Sequence, residues 1–225
     1  MSITENINQI KATLPATVKL VAVSKTKPNE LLMEAYSTGQ RAFGENKVQE
    51  ARAKIPLCSG RLHWHLIGHL QSNKAREAVQ LFEMSHSVDS LRLLEILDRA
   101  AGEEGRPLSV CLEVNVSGER SKFGMAPEAV LETLRGAERC FKVKVVGLMT
   151  LPPVAENPED ARPFFRALRE LRDRMQDQTG SALPELSMGM SQDFDIAIEE
   201  GSTWIRVGTL LFGPRPRKEP HGLDS

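Results

Sequence analysis

The sequence predicts a single closed (β/α)₈ barrel, eight parallel strands each followed by a helix. Three observations lead there. Eight short runs rich in apolar and β-branched residues alternate with stretches of helical spacing, which is the pattern of a parallel sheet. The clearest of these runs are apolar almost throughout, as strands covered on both faces are. The length, 225 residues, accommodates one such barrel. A doubly wound open sheet is the structural alternative, but no GxGxxG follows the first strand, which disfavours its dinucleotide-binding form.

The elements follow in order. Residues 1–11 read as a polar helix. Residues 18–23 form the first strand, and Pro28 and Asn29 open a helix with Leu31, Leu32, Ala35 and Tyr36 on one side, closed by Gly39. Residues 41–44 are a short second strand before a helix over 46–54. Residues 63–67 are the third strand, with a helix over 72–82. Residues 83–88 are a weaker fourth strand. Asp89 or Ser90 caps the next helix, which turns Leu94, Leu97 and Ala101 inward and ends near Gly102. Residues 109–114 are the fifth strand, and Pro127 marks the following helix start. Residues 143–149 are the sixth. Asn157, Pro158 and Glu159 open a helix carrying Phe164, Leu168, Leu171 and Met175. Residues 185–188 are a short seventh strand, Ser191 caps a helix over 192–200 stopped by Gly201, and residues 204–207 are the eighth. The whole chain, 1–225, reads as one domain, with about 214–225 as a loose tail.

Composition narrows the function. Apolar residues are 40% and charged residues 26%, with a formal net charge of -1, so no basic field invites nucleic acid. No apolar run approaches membrane-spanning length, and no signal peptide is evident. The three cysteines, Cys58, Cys111 and Cys140, are odd in number, widely spaced and without CxxC, which fits reduced thiols in a cytoplasmic protein.

In a barrel the chemistry gathers where strands end and βα loops begin. Those positions hold Lys25 after the first strand, Asn46 after the second, Asn115 after the fifth, Met149 and Thr150 at the sixth, Gly189, Met190 and Ser191 after the seventh, and Arg206, Gly208 and Thr209 at the eighth. Loops after the last two strands commonly bind phosphate through backbone N–H groups, and Gly208 lets the backbone come close to an anion. Lys25 follows a buried strand, where lost hydration lowers an amine's pKa and lets the neutral form attack an aldehyde. A reactive lysine facing a phosphate cradle is the minimal equipment for pyridoxal 5′-phosphate (PLP).

Plainer readings stand beside these. A lysine at a strand end is usually only solvated, Ser191 is adequately explained as a helix cap, Gly208 can simply shape a turn, and Asn46 and Asn73 can be caps. Cys111 reads as core. Arg206 is harder to dismiss, since an arginine facing a barrel interior needs a partner. His63 and His65 share a strand face near His69, but no Asp, Glu or Cys joins them at ligand spacing, so a metal site is disfavoured.

The blocks AVSKTKP (22–28), FGENKVQE (43–50), WHLIGHLQSNK (64–74), LSMGMSQDF (186–194) and IRVGTLLFG (205–213) resemble, in this order and across nearly the whole chain, the YggS/PROSC family of pyridoxal phosphate homeostasis proteins. The resemblance implies the barrel of the alanine racemase N-terminal domain. It implies that Lys25 bonds PLP as an internal aldimine, that Ser191, Gly208 and Thr209 hold the phosphate, that Arg206 lies near the pyridine nitrogen, and that Asn46, Met149 and Met190 line the pocket. One departure is visible: His69 stands where many relatives carry proline. An arginine at the ring nitrogen disfavours its protonation and restrains carbanion chemistry. That suits a racemase, or a protein that holds PLP without using it up. Racemases of this type also need a tyrosine supplied by an additional domain of the partner subunit. This chain ends soon after the barrel, and its single tyrosine, Tyr36, falls on the outer helix layer. The favoured reading is therefore a monomeric, cytoplasmic PLP holder in PLP homeostasis with no robust turnover, with PLP-dependent apoenzymes as candidate partners. An amino-acid racemase is the alternative. A phosphate-handling barrel enzyme without PLP survives only if Lys25 carries nothing.

Overall fold

Eight parallel strands pair each with the next, and the last returns to the first to close the barrel in the computed structural model, which describes residues 2–214. The strands are β1 (Lys19–Val23), β2 (Ala42–Glu45), β3 (His63–Leu66), β4 (Met84–Val88), β5 (Leu108–Glu113), β6 (Val143–Met149), β7 (Glu185–Ser187) and β8 (Trp204–Val207). Helix α1 (Ile3–Thr13) precedes β1. The outer layer is α2 (Asn29–Ser37), α3 (Val48–Lys54), α4 (Ala75–Leu81), α5 (Leu91–Glu104), α6 (Ala129–Ala137), α7 (Arg162–Thr179), α8 (Phe194–Glu199) and α9 (Thr209–Phe212). The expected loose tail lies, apart from Pro214, outside the described residues.

Period-two alternation divides the strand side chains between two cores. Leu20, Ala22, Phe43, Leu66, Leu112, Leu148, Ile205 and Val207 pack outward against the helices. Met84, Cys111 and Met149 meet inside the barrel beside Trp204. The inner space is tight at Gly44, where a Cβ would lie 2.8 Å from Val21 Cγ1. At Gly147 a Cβ would meet the Glu185 carbonyl at 1.9 Å, so only glycine lets β6 run this close to β7.

Local chemistry sets the helix ends. Ser2 and Glu5 form a reciprocal capping box at α1. Ser90, of the two candidates, caps α5 by accepting the Leu93 N–H at 3.3 Å. Asn157 accepts the Glu159 N–H and starts a 3₁₀ turn over Pro158–Ala161 before α7. Four expectations need correction. Helix α5 runs past Gly102 and stops at Gly105, whose φ of 65° supplies the left-handed end. Ser191 does not cap α8: the helix starts two residues later, and Asp193 accepts the Met190 N–H at 2.6 Å. Neither Asn46 nor Asn73 is a cap, since Lys47 and Gln71 hold those places. Residues 209–212, given no element in the sequence reading, form α9, which packs against α1, where Asn6 Nδ2 donates to the Leu211 carbonyl at 3.1 Å.

Candidate functional site

A cavity of about 530 Å³ opens at the C-terminal ends of the strands. That is within the usual size range of small-molecule sites. Lys25, Asn46, Met190, Ser191, Arg206, Gly208 and Thr209 all line it. Met149 does not: it is fully buried in the inner cluster with Met84 and Cys111. Part of the remaining wall is the loop after β6, where Leu151, Pro152, Pro153, Val154 and Ala155 present an apolar strap. Sequence reading missed this strap, because a proline-rich loop carries no periodicity.

Each lining residue is set by its element. Lys25 lies two residues past the end of β1 and is half-buried. The second lysine of the same block, Lys27, also lines the cavity, and its ammonium donates to the carbonyls of Phe212, Gly213 and Pro214, each at 2.9 Å, tying the loop after β1 to the end of α9. Gly208 caps α9 where the chain leaves β8 against β1, and a Cβ there would stand 3.2 Å from Val23 Cβ and 3.3 Å from the Val23 carbonyl. Gly189 has φ 92°, and a Cβ would meet Ala197 Cβ at 2.6 Å. Two glycine-shaped turns after β7 and β8 therefore bring backbone to one side of the cavity, with the Ser191 and Thr209 hydroxyls beside them.

Arg206 forms the polar floor and is 3% exposed. It donates to Ser187 Oγ at 2.6 Å and to the Thr150 carbonyl at 3.0 Å. Burial pulls its pKa down to about 10, while the nearby carboxyls of Glu113 and Asp193 work to raise it. Below it the barrel axis holds a polar chain. His86 Nδ1 lies 2.7 Å from Ser187 Oγ, and His65 Nδ1 lies 2.9 Å from His86 Nε2. A guanidinium only donates, so Ser187 accepts from Arg206. The ordering that gives the Ser187 hydrogen an acceptor then runs from Ser187 to His86 Nδ1, and from His86 Nε2–H to His65 Nδ1. Burial drives both imidazoles toward neutrality, His65 down to about 3 and His86 well below its ordinary range. Two neutral rings leave the charge of the Arg206–Ser187–His86–His65 series on Arg206. Glu113, at the end of β5, is pushed up to about 7, first by burial and then by Asp89.

His86, Ser187 and Glu113 were not singled out in sequence. Their only signal is the inward register of β4, β7 and β5, two residues on from Met84, Glu185 and Cys111. His63, His65 and His69 do not converge: His63 pairs with Glu83 at 2.5 Å, and His69 pairs with Asp89 at 3.1 Å and stacks on Phe123 at 4.0 Å. Among the described residues no group of three or more His, Cys, Asp or Glu could hold a metal ion, and no helix is long and apolar enough to cross a membrane.

A closed βα barrel with a lysine and two glycine-shaped turns at its C-terminal mouth is the architecture of PLP-binding barrels of the racemase type. The chain belongs to this family: the model of the alanine racemase N-terminal domain matches residues 1–216, and curated relatives over most of the chain are pyridoxal phosphate homeostasis proteins. The Aquifex aeolicus relative is 47% identical over 88% of this chain and 87% of its own length. The Pseudomonas aeruginosa relative is 43% identical over 97% and 98%. Among solved structures, PipY of Synechococcus elongatus with PLP bound superposes with a TM-score of 0.90 at 43% identity, covering 94% of this chain and all of PipY. Alanine racemase of Clostridium difficile shares the fold alone, with a TM-score of 0.78 at 15% identity over 96% of this chain and 58% of the racemase.

Proposed function

We propose that this protein binds PLP at the barrel mouth and serves PLP homeostasis in the cytoplasm, holding the cofactor as a Schiff base on Lys25 without sustained turnover. The observation that carries this reading is the convergence of Lys25, Arg206 and the Gly189 and Gly208 turns on one cavity. The residues fit the group. A backbone cradle that a Cβ would crowd suits a phosphate, and an amine across the same cavity suits an aldehyde. When bound, PLP supplies an aldehyde that condenses with a neutral amine and a pyridine ring able to accept electron density.

The chain's own residues do the rest. Ser191, Thr209 and the adjoining backbone would hold the phosphate, Arg206 would serve the ring nitrogen, Asn46 and Met190 line the walls, and the apolar strap of residues 151–155 would help exclude water. Arg206, held by Ser187 and Thr150, would place a positive charge near the ring nitrogen and disfavour its protonation. The ring is then a weak electron sink, which suits holding over turnover. Among the described residues that line the mouth there is no tyrosine to serve as the second acid/base of a racemase. Tyr36 lies on α2, with Arg41 over its ring at 4.2 Å and the Arg61 N–H donating to its hydroxyl at 3.3 Å. The protein works in this account as a monomer that exchanges PLP with PLP-requiring apoenzymes. After PLP loading and removal of unbound PLP, the wild-type protein should retain the near-visible absorbance of a Schiff base and Lys25→Ala should not. Chiral analysis after incubation with alanine should show no sustained racemisation; sustained racemisation would make it an enzyme.

A further inference from the structure

Lys25 occupies the second place of a four-residue turn. The Ser24 carbonyl accepts the Lys27 N–H at 3.0 Å, and Thr26, in third place, has φ 63°. That place favours glycine, and a β-branched residue there is strained. The turn is braced from β2 and α3. Lys54, the buried last residue of α3, donates to the Ser24 carbonyl at 2.8 Å, to Glu45 Oε1 at 2.6 Å and to Glu50 Oε1 at 3.1 Å. The Ser24 hydroxyl donates to the same Glu45 oxygen at 2.7 Å. The Thr26 N–H donates to Glu50 Oε1. Both neighbours of Lys25 are thus tied to one buried ammonium, Ser24 directly and Thr26 through Glu50.

The electrostatics agree with the geometry. Burial alone would raise Glu50, but the Thr26 N–H and the Lys54 ammonium outweigh it and hold the carboxyl low. A buried lysine is rare and costly unless paired, and an apolar residue would cover the barrel wall as well. Lys54 does not line the cavity; it reaches the Lys25 turn through residues 24 and 26, and its bond to Glu45 lies beside the cavity-lining Asn46.

Given Lys25 as the residue that bonds PLP, we propose that Lys54 is its positioning residue, holding the strained turn that presents the Lys25 amine to the mouth. Lys54→Met keeps most of the stem and removes the ammonium. Glu50→Gln is a milder variant, and carries the test if the first does not fold. Two quantities are measured: amide hydrogen exchange over residues 24–27 in protein without PLP, and PLP affinity from the near-visible absorbance. The Thr26 amide should exchange at least about tenfold faster, and PLP affinity should fall about 10- to 100-fold in Lys54→Met and less in Glu50→Gln. Adding Thr26→Gly to Lys54→Met should recover most of the affinity, because glycine takes this φ without a brace; a general loss of stability would not be recovered this way. Wild-type exchange and affinity in both variants, or no recovery with Thr26→Gly, would overturn the proposal. Faster exchange combined with no PLP on Lys25 in the wild type would reject the assignment of Lys25 and leave the brace standing.

Discussion

Replacing Glu113 with glutamine should stabilise the ligand-free fold above neutral pH and leave it nearly unchanged near pH 4.5. Glu113 is 4% exposed at the end of β5. Burial, with Asp89 adding to it and Arg206 opposing, raises its pKa from the ordinary 4.5 to about 7. The folded protein therefore holds this proton after the unfolded chain has released it. Stability is full below pH 4.5, falls as pH rises toward 7, and stays reduced above that. At about 1.4 kcal/mol for each pH unit between the two values, the deficit is about 3 kcal/mol. Glutamine keeps the shape and cannot ionise, so the variant should gain about that amount at pH 8. The assay is urea unfolding of wild type and variant without PLP at pH 5 and pH 8. No gain at pH 8 would refute the reasoning. An equal gain at both pH values would show a packing effect in place of an electrostatic one.

Other outcomes follow from the same structure. Arg206→Gln should weaken PLP retention about 10- to 100-fold in a direct titration, since it removes a buried donor held by Ser187 and Thr150; unchanged affinity would remove Arg206 from the site. Gly189→Ala should cost about 1–3 kcal/mol in urea unfolding, because alanine must adopt φ 92° against Ala197, and a neutral effect would contradict that close approach. His65 ionises near 3 in the fold and near 6.5 in the unfolded chain, so its contribution is full above pH 6.5 and lost as pH falls toward 3. His65→Gln should therefore flatten the loss of stability between pH 7 and pH 4.

The parts legible in sequence were those whose chemistry is local. β6 and β8 were bounded correctly because their runs are apolar and flanked by clear breakers. β7 was faint because it has three residues and meets β8 through one residue pair, Ser187 with Trp204. Gly102 misled the end of α5: it sits mid-helix in open space, while the positive φ falls at Gly105. Ser191 resembled a cap by type, but Asp193 accepts the bond that orders the turn. Lys25 and the Gly208 turn could be found because each closely follows its strand. The Arg206–Ser187–His86–His65 chain could not, because its members come from four strands and the His86–Ser187 bond joins residues 101 apart. The Lys54 brace was hidden for a similar reason: a lysine ending a helix reads as surface until β1 and β2 close over it.

The most direct test is borohydride reduction of the PLP-loaded protein, followed by peptide mass mapping. A pyridoxyl group on Lys25, and not on the neighbouring Lys27, is the predicted result. A label on another lysine, or none after PLP loading, would contradict the account.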